Sequence, residues 1–101
     1  MGNQDTNWAT VDFEQVAEQL RTMAHPIRLC IIRGLLDRPY CNVTEMQECL
    51  KIPQSSLSTH LQKLRSAGIL RGKRVGHEVV YEVIHPMAIE MMRTIKCKST
   101  E

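Results

Sequence analysis

The chain has 101 residues, of which 43% are apolar, 24% charged and only 4% aromatic, enough for one compact domain and too few for a multidomain enzyme. Its apolar runs, such as Leu29 to Ile32 with Arg33 immediately after, fall far short of the roughly 18 residues a membrane-spanning helix needs. The net charge of +2 conceals a segregation: Lys51, Lys63, Arg65, Arg71, Lys73 and Arg74 occupy a stretch ending at His77 that holds no Asp or Glu, so this segment carries +6 and the remainder −4.

Met1 to Thr10 is polar and lacks a basic region followed by an apolar one, so no secretory signal is read and a cytoplasmic location is expected. Gly2 and Thr6 satisfy a loose myristoylation pattern, but Asp5 and the polar surroundings favour a plain solvated arm. The expected organisation is a flexible arm over 1–10, one domain over 11–98 and a tail over 99–101.

Phe13, Val16, Ala17, Leu20, Met23 and Ala24 recur at helical spacing behind Asp12, a capping residue, and predict a first helix over about 12–24. His25-Pro26 breaks the register, and Pro26 suits the opening of a second helix over about 26–36. Apolar on several sides, that helix is expected at the centre of the core, and Cys30 sits in this mostly buried helix. Asp37-Arg38-Pro39 ends it, and a brief strand is expected near Val43. Thr44 with Gln47 three residues on reads as the capping box of a short third helix.

After Ile52-Pro53, Leu57, Leu61 and Leu64 form one stripe of a fourth helix that Gly68 stops. Ser55, Thr59, Gln62 and Ser66 point away from that stripe, with Ser56 and Lys63 beside them. Ile69 to Val75 and Glu78 to Val83 are β-rich runs joined by Gly76-His77, which predicts a hairpin with a basic tip. His85-Pro86 then opens a last helix whose flank, with the first helix, is a plausible dimer seam: Phe13, Val16, Leu20, Ile89, Met92 and Ile95.

The fold class is therefore mainly α with a small β-hairpin, a winged helix-turn-helix of about five helices plus the wing. A polar helix of this kind fits the DNA major groove, about 12 Å wide, while the hairpin reaches along the backbone or into the minor groove. Gln54 and Gln62 can read base edges, and Ser55, Ser56, Ser58, Thr59 and His60 can donate to bases or phosphates. Lys63, Arg65, Arg71, Lys73 and Arg74 neutralise phosphates, and His77 lies at the wing tip. His25 and His85, each before a proline, read as junction residues. The partner implied is double-stranded operator DNA, with no membrane contact. No cofactor or metal site is expected, and no Gly-rich phosphate loop or nucleophile elbow suggests an enzyme.

The runs Leu20 to Leu29, Asn42 to Met46, Pro53 to Leu61, Leu64 to Leu70 and Val80-Tyr81 resemble the ArsR/SmtB winged-helix repressors over about residues 14 to 97. The resemblance implies a bacterial homodimer on a palindromic operator, released when an effector binds, with Gln54 to Ser66 as recognition helix and Arg71 to Val83 as wing. In metal-sensing relatives a Cys-x-Cys pair opens the third helix, and here those positions look to be Asn42 and Thr44. A second family site uses ligands along the last helix, where this chain offers only His85, Glu90 and Glu101 without the usual spacing. Cys41 and Cys49 could join a soft-metal or arsenite site, which leaves a metal- or metalloid-responsive repressor as an alternative.

Other relatives resemble this chain in carrying one Cys in the second helix and one near the end of the last. Cys30 and Cys97 correspond, each displaced by about one turn, with Arg33 at the usual second-helix position. Cys97 lies between Lys96 and Lys98, cations that favour the thiolate, so a switch worked by a small thiol-reactive inducer through Cys30 and Cys97 stands beside the plainer reading of Cys30 as core packing and Cys97 as an incidental exposed thiol. In a reducing compartment all four cysteines are otherwise free thiols. From a different class, a winged-helix protein-interaction module without DNA binding is the rival, since folds host unrelated functions.

Overall fold

The computed structural model describes residues 10–95. In chain order the elements are α1 (Phe13–Met23), α2 (Pro26–Asp37), β1 (Cys41–Asn42), α3 (Val43–Leu50), α4 (Gln54–Ser66), β2 (Leu70–Val75), β3 (Glu78–Val83) and α5 (Pro86–Thr94). The five helices and the hairpin appear where periodicity put them, in the winged-helix arrangement.

Local chemistry sets the helix ends. The Asp12 carboxylate accepts from the Gln15 N–H at 3.1 Å and opens α1. His25 and His85 use one device twice: each Nδ1 accepts the backbone N–H two residues on, Ile27 and Met87, at 3.1 Å, with proline at the first helical position. At α3 the expected cap is displaced. Asn42, not Thr44, accepts the Glu45 N–H at 2.8 Å, and the Glu45 carboxylate accepts the Asn42 N–H at 2.9 Å. The cause lies across the sheet: β1 pairs with β3, Asn42 opposite Val80, which holds Asn42 extended and ready to cap. The brief strand thus falls at Cys41–Asn42 rather than at Val43.

The hairpin β2–β3 runs in register from Leu70 opposite Val83 to Val75 opposite Glu78, and β1 completes a sheet of order β1-β3-β2. Gly76 carries φ +63 at the first position of the two-residue turn and His77 does not, the pattern of a II′ turn. α4 ends in a Schellman motif: Ile69 N–H bonds Leu64 C=O and Gly68 N–H bonds Arg65 C=O, both at 2.9 Å, with Gly68 at φ +77.

The core joins Met23, Ile31, Ile32 and Leu35 of the first two helices to Met46, to the α4 leucines and to Ile69, Leu70, Tyr81, Ala88 and Met92. Leu57, Leu61 and Leu64 are at most 2% exposed, so this stripe, worth about 1.5–3 kcal/mol per side chain, fixes which face of α4 points outward. Gln19, the one buried polar residue among those described, donates from Nε2 to the Ala67 carbonyl at 3.3 Å and ties α1 to the end of α4. Arg33 donates from Nη2 to the carbonyls of Met92 and Ile95, at 2.7 and 3.0 Å, closing the C-terminal end of α5 onto α2.

Two expectations need correction. Cys30 is exposed, because the buried side of α2 is set by Ile31, Ile32 and Leu35. Met92, expected at a dimer seam, is 4% exposed and packs in the chain's own core. Phe13, Leu20 and Ile95 of the same set remain 58%, 43% and 45% exposed, while Val16 and Ile89 are half-buried.

Candidate nucleic-acid interface

With its leucines turned inward, α4 shows solvent an exposed row of Gln54, Ser55, Ser58, Thr59, Gln62, Lys63, Arg65 and Ser66, with Ser56 and His60 half-buried beside it. The Thr59 hydroxyl donates to the Ser55 carbonyl at 3.1 Å, so it can still offer a base only a lone pair or its methyl. Pro53 caps α4 without a side-chain bond and its first turn holds no acid, which leaves that end favourable to an anion.

A groove flanks α4 on each side. One, of about 670 Å³, runs between α4 and the wing and is lined by Ser58, Gln62, Arg65, Ser66, Arg71 and Gly72 among others. Residue 72 in its wall is glycine, which lets the Val79 and Tyr81 side chains pack close against β2: a Cβ there would lie 3.1 Å from Val79 Cγ1 and 3.3 Å from Tyr81 Cε1. The other, of about 680 Å³, lies where α1 and α2 meet α4 and is lined by Arg21, Thr22, Arg28, Thr59, Gln62 and Lys63 among others. Gln62 and Ser66 border both grooves and so sit on the crest between them.

The cations divide by partner. Lys63, Arg65, Lys73 and Arg74 make no ion pair with another described residue. Arg71, expected to neutralise phosphate, is bound across the strands to Glu82: its Nε donates to Oε2 at 2.9 Å, and Nη2 contacts the same oxygen. This guanidinium, donating and nearby, holds the Glu82 carboxyl below its usual range. The wing thus presents Lys73, Arg74 and the exposed His77 more freely than Arg71.

His60 departs from the expected phosphate donor. Its Nδ1 accepts from Arg28 Nε at 3.0 Å, and its ring lies 4.6 Å from that of His25, tilted by 57°. Burial first, then the charges of His25, Arg28 and Lys63, push its pKa below the ordinary value. A neutral His60 that accepts from Arg28 braces α4 against α2. Arg28 also donates to the Thr22 carbonyl at 3.0 Å, fastening the α1–α2 junction at the same point.

Arg21 and Arg28 were not among the residues the sequence singled out. Both lie outside the basic segment and reach the groove only because α1 and α2 pack against α4. The ion pair of Arg21 with Glu18 at 2.8 Å gives no local sign of that placement.

Of the thiols, Cys30 and Cys49 are exposed, while Cys41 donates from Sγ to the Arg38 carbonyl at 3.1 Å. Cys97 lies outside the described residues, as does Glu101. Among the described residues, no three of His, Cys, Asp or Glu are grouped to hold a metal, and Asn42, one of the two positions where metal-sensing relatives look to carry cysteine, caps α3. No described helix is long and apolar enough to cross a membrane.

The model of the arsR family of bacterial regulatory proteins matches residues 25–71, from the N-cap of α2 into the wing. The transcriptional repressor PagR of Bacillus anthracis is 42% identical over 76 residues, which are 75% of this chain and 76% of that protein. Its crystal structure superposes with a TM-score of 0.75, covering 80% of this chain and 92% of PagR. The transcriptional repressor BigR from Xylella fastidiosa superposes with the same TM-score of 0.75 at 29% identity, over 85% of this chain and 90% of that one. The HTH-type repressor SmtB of Mycobacterium tuberculosis is 37% identical over 70 residues, and the chain spans about half, 51%, of its length. These relatives are transcriptional regulators and not enzymes, and at this identity and coverage the chain belongs to the ArsR/SmtB family of bacterial transcriptional regulators.

Proposed function

We propose that the chain is a homodimeric, sequence-specific DNA-binding repressor of the bacterial cytoplasm, with residues 11–98 acting as one DNA-binding and dimerising unit. The observation that carries the reading is the crest of α4, where Gln62 and Ser66 stand exposed between two cation-bearing grooves. In this reading α4 enters the major groove. Gln62 with Gln54, Ser55, Ser58 and Thr59 meets base edges, while Lys63, Arg65, Lys73 and Arg74 contact phosphates on either side. Arg28 and His60 hold the helix in place. The exposed Phe13, Leu20 and Ile95 supply apolar surface for a second copy, which sets two recognition helices roughly 34 Å apart, one duplex turn. Release by a thiol-directed effector draws support from the exposed thiol of Cys30.

The test is fluorescence anisotropy with the palindromic duplex upstream of the chain's own gene and a scrambled duplex of equal length, over a salt series. The expected result is a preference of at least about 10³ for the operator and a steep fall of affinity with salt. Gln62→Ala should lose about 1–3 kcal/mol of that discrimination. Equal, salt-insensitive binding to both duplexes would overturn the reading in favour of a protein-interaction module.

A further inference from the structure

Every described cysteine lines one cavity. It lies between α2 and α3, holds about 180 Å³ and shares no residue with the grooves beside α4. Ile31, Leu35, Met46 and Leu50 give it apolar walls; Cys30 enters from α2, Cys41 from β1 and Cys49 from α3. Gly34 supplies the opening. It sits inside α2 without a positive φ, where glycine costs about 0.5–1 kcal/mol relative to alanine, and a Cβ added there would meet nothing within 4 Å.

The size and chemistry of the space limit its occupant. A cavity of about 150 Å³ takes a benzene ring, so this one takes one six-membered ring or a chain of similar bulk. Asp37, Arg38 and Glu45 also line it, and with two carboxylates against one guanidinium the rim is net negative and disfavours an anion. The thiols do not converge with a third ligand as a bound ion would require. What an apolar space edged with thiols selects is a soft, uncharged carbon electrophile.

We propose that this cavity is a covalent effector site for such an electrophile, of the class of single-ring quinones and short α,β-unsaturated carbonyls, which adds to Cys30 or Cys49 and weakens DNA binding by parting α3 from α2. The thiol releases its proton to water, and the sulfur lone pair forms a C–S bond to the β-carbon. The C=C π pair becomes the enolate double bond to the carbonyl carbon as the C=O π pair moves onto oxygen, and the resulting enolate takes a proton from water, so no oxidant is needed. Cys41 is not the nucleophile. Its thiol donates to the Arg38 carbonyl, and burial followed by the Glu45 carboxylate holds it protonated. The effect reaches DNA because Met46 carries the cavity wall into the core and α3 packs on α4. This last step rests on the operator-binding reading above; the addition itself does not.

The experiment treats the reduced full-length chain with 1,4-benzoquinone or, as a small polar control, iodoacetamide. Peptide mass mapping follows the sites and rates, and anisotropy follows operator binding. Benzoquinone is expected to modify Cys30 or Cys49 before Cys97. In Gly34→Leu, which fills the space, that reaction should slow by at least about tenfold, one step of 1.4 kcal/mol, with the iodoacetamide rate unchanged. The adduct should bind operator about tenfold or more weakly, a coupling of ordinary allosteric size. The double variant Cys30→Ser/Cys49→Ser, whose cavity stays open, should keep its operator affinity under benzoquinone. Equal quinone rates in parent and Gly34→Leu, first reaction at Cys97, or an adduct at Cys30 or Cys49 that binds operator unchanged would each overturn the proposal. Failure of the untreated chain to bind operator would instead count against the DNA reading, and the rate comparison would still decide whether the cavity selects the electrophile.

Discussion

Lys63 allows the proposed interface to be tested by arithmetic. It lies in the groove between α4 and the α1–α2 junction, is exposed and makes no ion pair with another described residue, so on DNA its charge replaces a condensed counterion. Each phosphate neutralised contributes about −0.9 to the slope of log K against log salt, and a dimer repeats the contact, so Lys63→Gln should flatten the slope by about 1.8. Across a fourfold rise in salt, from about 50 to about 200 mM, the parent should therefore lose roughly tenfold more affinity than the variant. Arg71 supplies the contrast, because its charge is already matched by Glu82 on the neighbouring strand. Arg71→Gln should change the slope less than Lys63→Gln, and Glu82→Gln should tighten binding by freeing Arg71 and removing a carboxylate near the DNA. Anisotropy titrations of the three variants at matched ionic strengths measure all of this. Parallel salt lines for parent and Lys63→Gln would refute the placement of α4 against the phosphates.

Arg33→Ala removes a part-exposed guanidinium from the Met92 and Ile95 carbonyls and should cost about 1–2 kcal/mol in urea denaturation. Gly68→Ala meets no neighbour within 4 Å, so its expected loss of about 1–2 kcal/mol in the same assay is backbone strain at φ +77 alone. The His60 pKa lies below the ordinary 6.5 in the folded chain, which therefore binds fewer protons there than the unfolded chain does. Stability from this site should be complete above the ordinary value and be lost as pH falls through the lowered one. Denaturation midpoints between about pH 7.5 and about pH 5 should show that slope flattened in His60→Asn.

How much could be read in advance depended on the range of the interaction concerned. Helix spans, the leucine stripe of α4, the Gly68 stop and the turn at Gly76-His77 follow from contacts within a few residues, where spacing along the chain is spacing in space. The third helix shows where such reading slips. Both Thr44 with Gln47 and Asn42 with Glu45 fit a capping box, and the choice fell to Asn42 because β1 pairs with β3, some 38 residues away at Val80. Cys30 was misjudged for a related reason: a helix with apolar residues on several sides does not announce which side its neighbours will cover.

The sequence by itself determined the winged-helix elements, the polar outer face of α4 and the family, because these rest on local periodicity and on residue types in order. Only the tertiary structure decided which of the charges remain free. Arg71 meets Glu82, Arg28 meets His60 and Arg33 meets the end of α5, at separations of 11, 32 and 59 residues. It also brought Cys30, Cys41 and Cys49 to a single cavity. Electrostatic and packing partners are set by distance in space, and over such separations the order of residues does not encode that distance until the core has closed.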